Sequence, residues 1–194
     1  MALGRIKRSG GVMQGRGMAI AGLISGYIFT AIFVIIIPLL FAAGFAAGNS
    51  AITKAQRITT LATATAIESA VNNYMTEYGT MPSEGSSDTT LTTGADTGLL
   101  EVLLGLEDKL NTRSIKFLSV REGKGKKNGL IYSSNGLSVI GLYDPWGGGY
   151  KVRLDLNSDE KLDVNGETLD NRRVAVWSDG PDRKAGTKDD VKTW

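Results

Sequence analysis

The stretch NSAITKAQRITTLATATAIESAVNNYMTEYG, residues 49–79, decides the fold of this chain. Mainly apolar side chains recur in it with a period close to 3.6 residues, which places them on one face of an α-helix. These side chains are Ile58, Leu61, Ala62, Thr65, Ala66, Val71, Tyr74, Met75 and Tyr78. Gly79, followed closely by Pro82, is a common helix-terminating pair. The pattern predicts a long helix that ends near Tyr78 and needs another element to cover its apolar face.

An uncharged segment, MAIAGLISGYIFTAIFVIIIPLLFAAGFAAG, precedes this helix. Its length suits one tilted membrane span, because a bilayer core is about 30 Å thick and two spans would need about 40 residues. A cleaved signal peptide is the alternative, but its apolar core would be only about 7–15 residues long. The sequence therefore predicts a basic segment at residues 1–16, a transmembrane helix at 17–48 that Pro38 kinks, and a domain at 49–194.

Charge and composition restrict the function. Four cations and no acid occur in the first 49 residues, namely Arg5, Lys7, Arg8 and Arg16, so the positive-inside rule places the N-terminus in the cytoplasm. The remaining residues are close to neutral, which argues against nucleic acid as a partner. The chain lacks both cysteine and histidine, so any metal site must use oxygen ligands, as calcium and magnesium sites do. No catalytic or phosphate-binding motif occurs, and we expect neither an enzyme nor a small-molecule substrate.

The residues after the long helix predict short elements. The segment TGLLEVLLGLEDKL indicates a short helix and IKFLSV a strand, while further strands are predicted from Tyr150 and in RRVAVWS. The basic turn REGKGKKNG, residues 121–129, is interpreted as a solvated loop rather than a phosphate or lipid contact. The expected fold is α+β, a long helix on a small antiparallel sheet. Ile67, Val71 and Tyr74 should be buried against strands near residues 150–154 and 174–177.

Three features together resemble a known family. They are a long helix ending in NYMTEYGTMPS, the turn Asp144-Pro145-Trp146-Gly147 followed by Tyr150, and the acidic closing loop WSDGPDRKAGTKDDVKTW. Over about residues 50–194 the chain resembles the major pseudopilin of type II secretion systems, a type IV pilin-like protein. The usual prepilin motif is replaced by RGMAIAGLISGYI, and no glutamate occurs before Glu68. Gly148-Gly149 stands where the family usually has Asn-Pro.

The resemblance implies a calcium site in the closing loop. Its ligands would be the side chains of Asp182, Asp189 and Asp190 and the backbone carbonyls of Asp179 and Thr187. Calcium takes six to eight oxygen ligands in flexible geometry, which suits a glycine-containing loop rich in carboxylates. A bound cation would order the loop, with Trp194 packed beneath it. The alternative is an ordinary acidic surface loop.

A second acidic run has the spacing of an EF-hand loop only in part. Asp155, Asn157, Asp159 and Asp163 occupy its positions 1, 3, 5 and 9. Glu160 and Gly166 stand where that loop needs glycine and glutamate, so two geometry-setting residues fail. A polar hairpin between two strands is the favoured interpretation, and a weak calcium site is the alternative.

The expected function follows from the resemblance. It implies a structural, calcium-stabilised, membrane-anchored pseudopilin-like subunit of a type II secretion or related filament apparatus. The protein would cross the bacterial inner membrane once, with its C-terminal domain periplasmic or extracellular. It would assemble with itself or with other pseudopilins. The alternative is a non-polymerising anchored module that uses a pilin-like fold to bind a partner outside the cytoplasm.

Overall fold

The computed structural model describes residues 16–94, 97–136 and 138–194, without the side chains of residues 16 and 41–47. The basic segment was predicted at residues 1–16, and all of it except residue 16 lies outside these ranges. Helix α1 is Arg16–Ala31, and α2 is Ile37–Tyr78. Between them lies one π-helical turn, Ile32–Ile36, which ends two residues before Pro38. Proline has no amide hydrogen and crowds the carbonyl four residues earlier, so a change of helical register at this point has a direct cause.

The N-terminal helical region has the properties of a membrane span. Gly17–Leu40 has a mean hydropathy of 2.5 in its most apolar window, and none of that window is buried. Its 24 residues extend over about 36 Å as a helix, enough to cross a hydrocarbon core of about 30 Å. A cleavable signal sequence shares these properties. The prediction of an apolar helix long enough to cross a membrane is therefore confirmed, while its retention and orientation stay predictions.

The chain divides into two units, with Thr53 at the end of the first and Lys54 at the start of the second. The second unit contains a four-stranded antiparallel sheet in the order β1-β4-β7-β8. Its strands are Thr89–Thr92, Lys151–Leu154, Val174–Ser178 and Val191–Lys192. Two antiparallel pairs accompany it, β2 with β3 and β5 with β6. They comprise Gly129–Tyr132 with Val139–Tyr143, and Lys161–Val164 with Glu167–Asp170. The short helix α3, Gly98–Leu104, completes the unit.

The core of this unit lies between one face of α2, α3 and the sheet. Ile67, Val71 and Tyr74 are at most 1% exposed and share a cluster with residues of the central strands. From β4 and β7 this cluster contains Val152, Leu154, Val174 and Val176, with Tyr150 just before β4. Both the α+β class and the predicted burial of these three helical side chains are confirmed.

The buried face of α2 differs from the predicted face in its first half. Ile58 and Leu61 are 69% and 43% exposed, whereas Thr60 and Ala64 are fully buried. Thr60 tolerates burial because its hydroxyl donates to the carbonyl of Gln56 at 2.9 Å. Small side chains at these positions permit close packing of the helix, so the apolar periodicity alone gave the wrong face here.

The segment IKFLSV is not a strand, which corrects the prediction. The amides of Phe117 and Leu118 donate to the carbonyl of Leu103 at 2.9 and 3.0 Å, so the segment folds back onto the end of α3. Asn111 fixes this return, because its side chain donates to the carbonyls of Val102 and Ile115, each at 2.7 Å. The buried polar groups at the helix end are thereby satisfied without strand pairing.

Candidate functional site: the C-terminal acidic loop

The acidic loop connects two adjacent strands of the sheet. It leaves β7 after Ser178 and returns to β8 at Val191, and these two residues are paired in the ladder. Inside the loop the chain comes very close to itself, because a Cβ at Gly180 would lie 2.3 Å from the carbonyl oxygen of Asp189. Gly180 also has φ +67°, which favours glycine. The sheet therefore fixes both ends of the loop, and glycine allows its two arms to meet.

The three predicted carboxylates converge on one hydroxyl. Thr187 Oγ1 lies 2.5 Å from Asp189 Oδ1, 3.3 Å from Asp190 Oδ1 and 3.4 Å from Asp182 Oδ1. A threonine hydroxyl has one hydrogen to donate, so it satisfies one of these carboxylates at a time. The loop thus gathers Asp182, Asp189 and Asp190 around Thr187, for which the sequence predicted only a backbone role.

Backbone amides support the same three carboxylates. The Lys184 amide donates to Asp182 Oδ1 at 2.8 Å. The Asp182 amide donates to Asp189 Oδ2 at 3.2 Å, and the Gly186 amide donates to Asp190 Oδ2 at 2.9 Å. The Thr187 hydroxyl is the main cause that holds the pKa of the Asp189 carboxyl below its usual value. Asp189 is therefore held in its charged form, the form that binds a cation.

Asp179 has a different environment from the other predicted ligands. Its carboxylate forms an ion pair with Lys151, whose Nζ lies 2.7 Å from Oδ2 and 3.0 Å from Oδ1. The side chain is therefore engaged across the sheet, away from the hydroxyl of Thr187. The expected role of Asp179 as a calcium ligand through its backbone carbonyl does not involve this side chain and stays a prediction.

The oxygen ligands of the loop suit calcium in kind. Carboxylate and carbonyl oxygens are the ligands that calcium prefers. In the described ranges, however, the geometry forms no ready metal-binding group of three or more acidic, histidine or cysteine side chains. The structure therefore brings the three carboxylates toward Thr187, and both the calcium site and the ion stay predictions.

A buried aspartate ties the base of the loop to the Asp-Pro-Trp-Gly turn. Asp144 is 1% exposed and accepts hydrogen bonds from the amides of Trp146 and Gly148 at 2.9 and 2.8 Å. Its other oxygen accepts from Ser178 Oγ at 2.6 Å, and Ser178 Oγ accepts from the Gly180 amide at 3.1 Å. Sequence reasoning found the turn but missed this connection. The sequence feature that could have predicted it is Asp144 as the first residue of a turn, because an aspartate there can accept hydrogen bonds from the backbone amides that follow it and so tolerate burial.

Trp194 packs against a second apolar cluster, formed by β7 and the β5–β6 hairpin. Its ring meets that of Trp177 edge-on at 5.9 Å, and its indole N–H donates to Glu167 Oε2 at 3.1 Å. This hydrogen bond is the first cause, and Lys192 the second, of a lowered pKa at Glu167. The contacts described for Trp194 are with Trp177, Lys192 and the β5–β6 hairpin. The sequence had predicted packing beneath the acidic loop.

The second acidic run forms a hairpin with locally bonded carboxylates. Asp155 accepts from the amides of Ser158 and Glu160 at 2.6 and 3.0 Å. Asp159 accepts from the Lys161 amide at 2.9 Å, and Asp163 accepts from the Thr168 hydroxyl at 2.6 Å. Asp155 and Asp159 therefore accept hydrogen bonds from amides of their own turn, and Asp163 accepts one from a threonine on the paired strand. The favoured interpretation, a polar hairpin between β4 and β7, is confirmed.

Comparison with protein-family models, with curated proteins and with solved structures finds no match for this chain. Any functional assignment therefore depends on the residues and the geometry described above.

Proposed function

We propose that this protein is a structural, membrane-anchored, pseudopilin-like subunit of a type II secretion or related filament apparatus, stabilised by calcium. Its assembly partners are copies of itself or other pseudopilins. The protein acts from the inner membrane of a bacterium, with the domain after the apolar helix outside the cytoplasm. Its function is mechanical and requires no catalytic residue.

One observation carries the proposal. Asp182, Asp189 and Asp190, the residues at the family's ligand spacing, meet at Thr187 within a loop fixed between β7 and β8. Three carboxylates in such proximity repel one another unless a cation or hydrogen-bond donors offset their charge. A bound calcium ion would supply that charge and would order the edge of the sheet. The supporting context is an α+β unit that follows a single apolar helix.

Filament imaging tests the proposal. Cells that express the full chain from its native locus should yield thin filaments in sheared surface fractions or purified membranes, labelled by an antibody against residues 54–194. Deletion of the gene should remove the labelled filaments, and expression of the chain from a plasmid should restore them. Labelled membranes that contain the protein but no filament under secretion-inducing conditions would contradict the proposal.

A specific observation favours the second candidate, a non-polymerising binding module. The stretch RGMAIAGLISGYI lacks the glutamate of the prepilin motif. In the family this glutamate is thought to pair with the N-terminal amine of a neighbouring subunit. Crosslinking in membranes separates the two candidates, because a subunit gives ladders of its own multiples and a binding module gives a single adduct with another protein.

A further inference from the structure

The basic turn, residues 121–129, is an exposed cationic surface. It carries Arg121, Lys124, Lys126 and Lys127 against one acid, Glu122. All five side chains are exposed. Within the described ranges, no ion pair involves any of these four cations. The positive charge of the turn is therefore available to a partner.

The backbone of the basic turn is fixed before any partner arrives. A Cβ at Gly123 would lie 2.4 Å from the carbonyl oxygen of Lys127, so the two sides of the turn are in close contact. The Asn128 amide donates to the carbonyl of Asp144 at 2.8 Å and fastens the turn to the Asp-Pro-Trp-Gly segment. A rigid surface loses little conformational freedom on binding, which favours association.

The basic turn is also concave. Three cations, Arg121, Lys124 and Lys127, line a shallow, open depression of about 440 Å³ together with Glu122 and Pro145. A matching partner would be narrow, convex and negatively charged along its length. Charge complementarity of this kind selects partners and fixes their register.

The β5–β6 hairpin of the same chain has these properties. Residues 159–170, the acidic hairpin, contain five acids and one lysine. Its tip is the two-residue turn Asn165-Gly166, with φ values of 50° and 83°, and a Cβ on Gly166 would meet open space. Glu160 and Glu167 have ion-pair partners. The remaining acids are exposed and without ion pairs in the described structure; they are Asp159, Asp163 and Asp170.

We infer that the acidic hairpin of one copy of this chain docks into the basic turn of a second copy. With one such contact between two copies, one copy keeps its acidic hairpin free and the other keeps its basic turn free, so the contact is head-to-tail. Such a heterologous contact extends into a ring or a filament rather than closing as a two-fold dimer. The inference deepens the proposed function and rests on it for its biological setting.

Cysteine crosslinking tests the contact, because the chain has no cysteine of its own. Two full-length forms with different epitope tags, one with Lys124→Cys and one with Asp163→Cys, are expressed together and oxidised in membranes. We expect a disulfide-linked dimer that carries both tags. The matched control replaces Asp163→Cys with Ser86→Cys, an exposed position outside both surfaces. Equal crosslinking in the control would overturn the inference.

Charge reversal provides the second test. Lys126→Glu with Lys127→Glu should abolish the mixed dimer, and so should Asp159→Lys with Asp170→Lys on the other form. Combining the two reversed surfaces should restore it, which simple misfolding could not do. Crosslinking that is insensitive to reversal, or reversal without rescue, would overturn the inference.

Filament imaging of the same variants separates the two proposals. Filaments that persist with a reversed basic turn would overturn the inference and leave the proposed function standing. A charge-dependent crosslink in membranes that never contain filaments would support the contact and contradict the proposed function.

Discussion

At the residue scale, Asp144 joins the Asp-Pro-Trp-Gly turn to the start of the acidic loop. Replacing Asp144 with alanine leaves the buried Ser178 hydroxyl and two partly buried turn amides without their acceptor. Because unsatisfied buried donors are costly, we expect a loss of about 3 kcal/mol in the free energy of unfolding. Denaturant titration of the detergent-solubilised chain measures this loss.

The matched control is Asp170→Ala, which removes an exposed carboxylate at the end of β6. Surface changes of this kind usually alter stability by less than about 0.5 kcal/mol. If both variants lose the same free energy of unfolding, the hydrogen bonds of Asp144 do not make a special contribution to the stability of the fold.

Calcium should stabilise the folded chain through the acidic loop. Binding that favours the folded form adds RT ln(1 + [L]/Kd), about 2.7 kcal/mol at a hundredfold excess over Kd. The full chain should therefore melt several degrees higher in calcium than in chelator. Asp189→Ala combined with Asp190→Ala should remove the difference, because two of the three converging carboxylates are gone.

Asp159→Ala serves as the comparison for the calcium experiment, since Asp159 caps a turn of the hairpin away from Thr187. It should retain most of the calcium shift. A full shift in the double variant would place the ion elsewhere, most directly in the run from Asp155 to Asp163.

The convergence of the acidic side chains was predictable from sequence only in part. The spacing of Asp182, Asp189 and Asp190, read through a family resemblance, named the carboxylates that the structure brings together. It could not reveal the central position of the Thr187 hydroxyl, because side-chain direction in an irregular loop depends on tertiary contacts. The hydrogen bond from Ser178 at the start of the loop to Asp144 was hidden for the same reason, since Asp144 lies in a turn 34 residues away.

At the scale of elements, the packing of α2 depends on which of its faces meets the sheet. Ile67 is fully buried, while Ile58 is 69% exposed. Ile67→Ala should lower the free energy of unfolding by about 2–5 kcal/mol through lost burial and a residual cavity. Ile58→Ala, the same chemical change on the exposed face, should cost less than about 0.5 kcal/mol. Parallel denaturant titrations compare them, and equal losses would show that the buried face is misassigned.

Periodicity predicted α2 as an element but misplaced part of its buried face. Alanine and threonine contribute little to an apolar periodicity, yet Thr60 and Ala64 are the fully buried residues in the first half of the α2 face that meets the core. The hairpin at β5–β6 was predicted because Glu160 and Gly166 break the EF-hand pattern, and the turn residues Asn165-Gly166, which favour a two-residue hairpin turn, were a signal that this prediction did not use. IKFLSV was misread because an extended, apolar segment satisfies strand propensity whether or not a partner strand is available.

At the scale of the whole molecule, retention of the apolar helix decides where the protein acts. We expect the chain extracted from membranes to keep residues 17–48, because the uncharged segment is much longer than the core of a signal peptide. Intact mass spectrometry of the extracted protein measures this directly. A soluble species that begins near Asn49 would show that the segment is a cleaved signal sequence.

The pairing of α2 with distant strands has a consequence for how the chain is made. The ribosome completes the buried face of α2 long before β4 and β7, whose apolar residues cover it. The gap is roughly 75 to 115 residues, which at ordinary synthesis rates corresponds to a wait on the order of 5 to 20 seconds. During that interval Ile67, Val71 and Tyr74 have no sheet to pack on, and their apolar side chains lack the strands that bury them in the folded domain. The first apolar face of this domain to be synthesised is among the last to be covered.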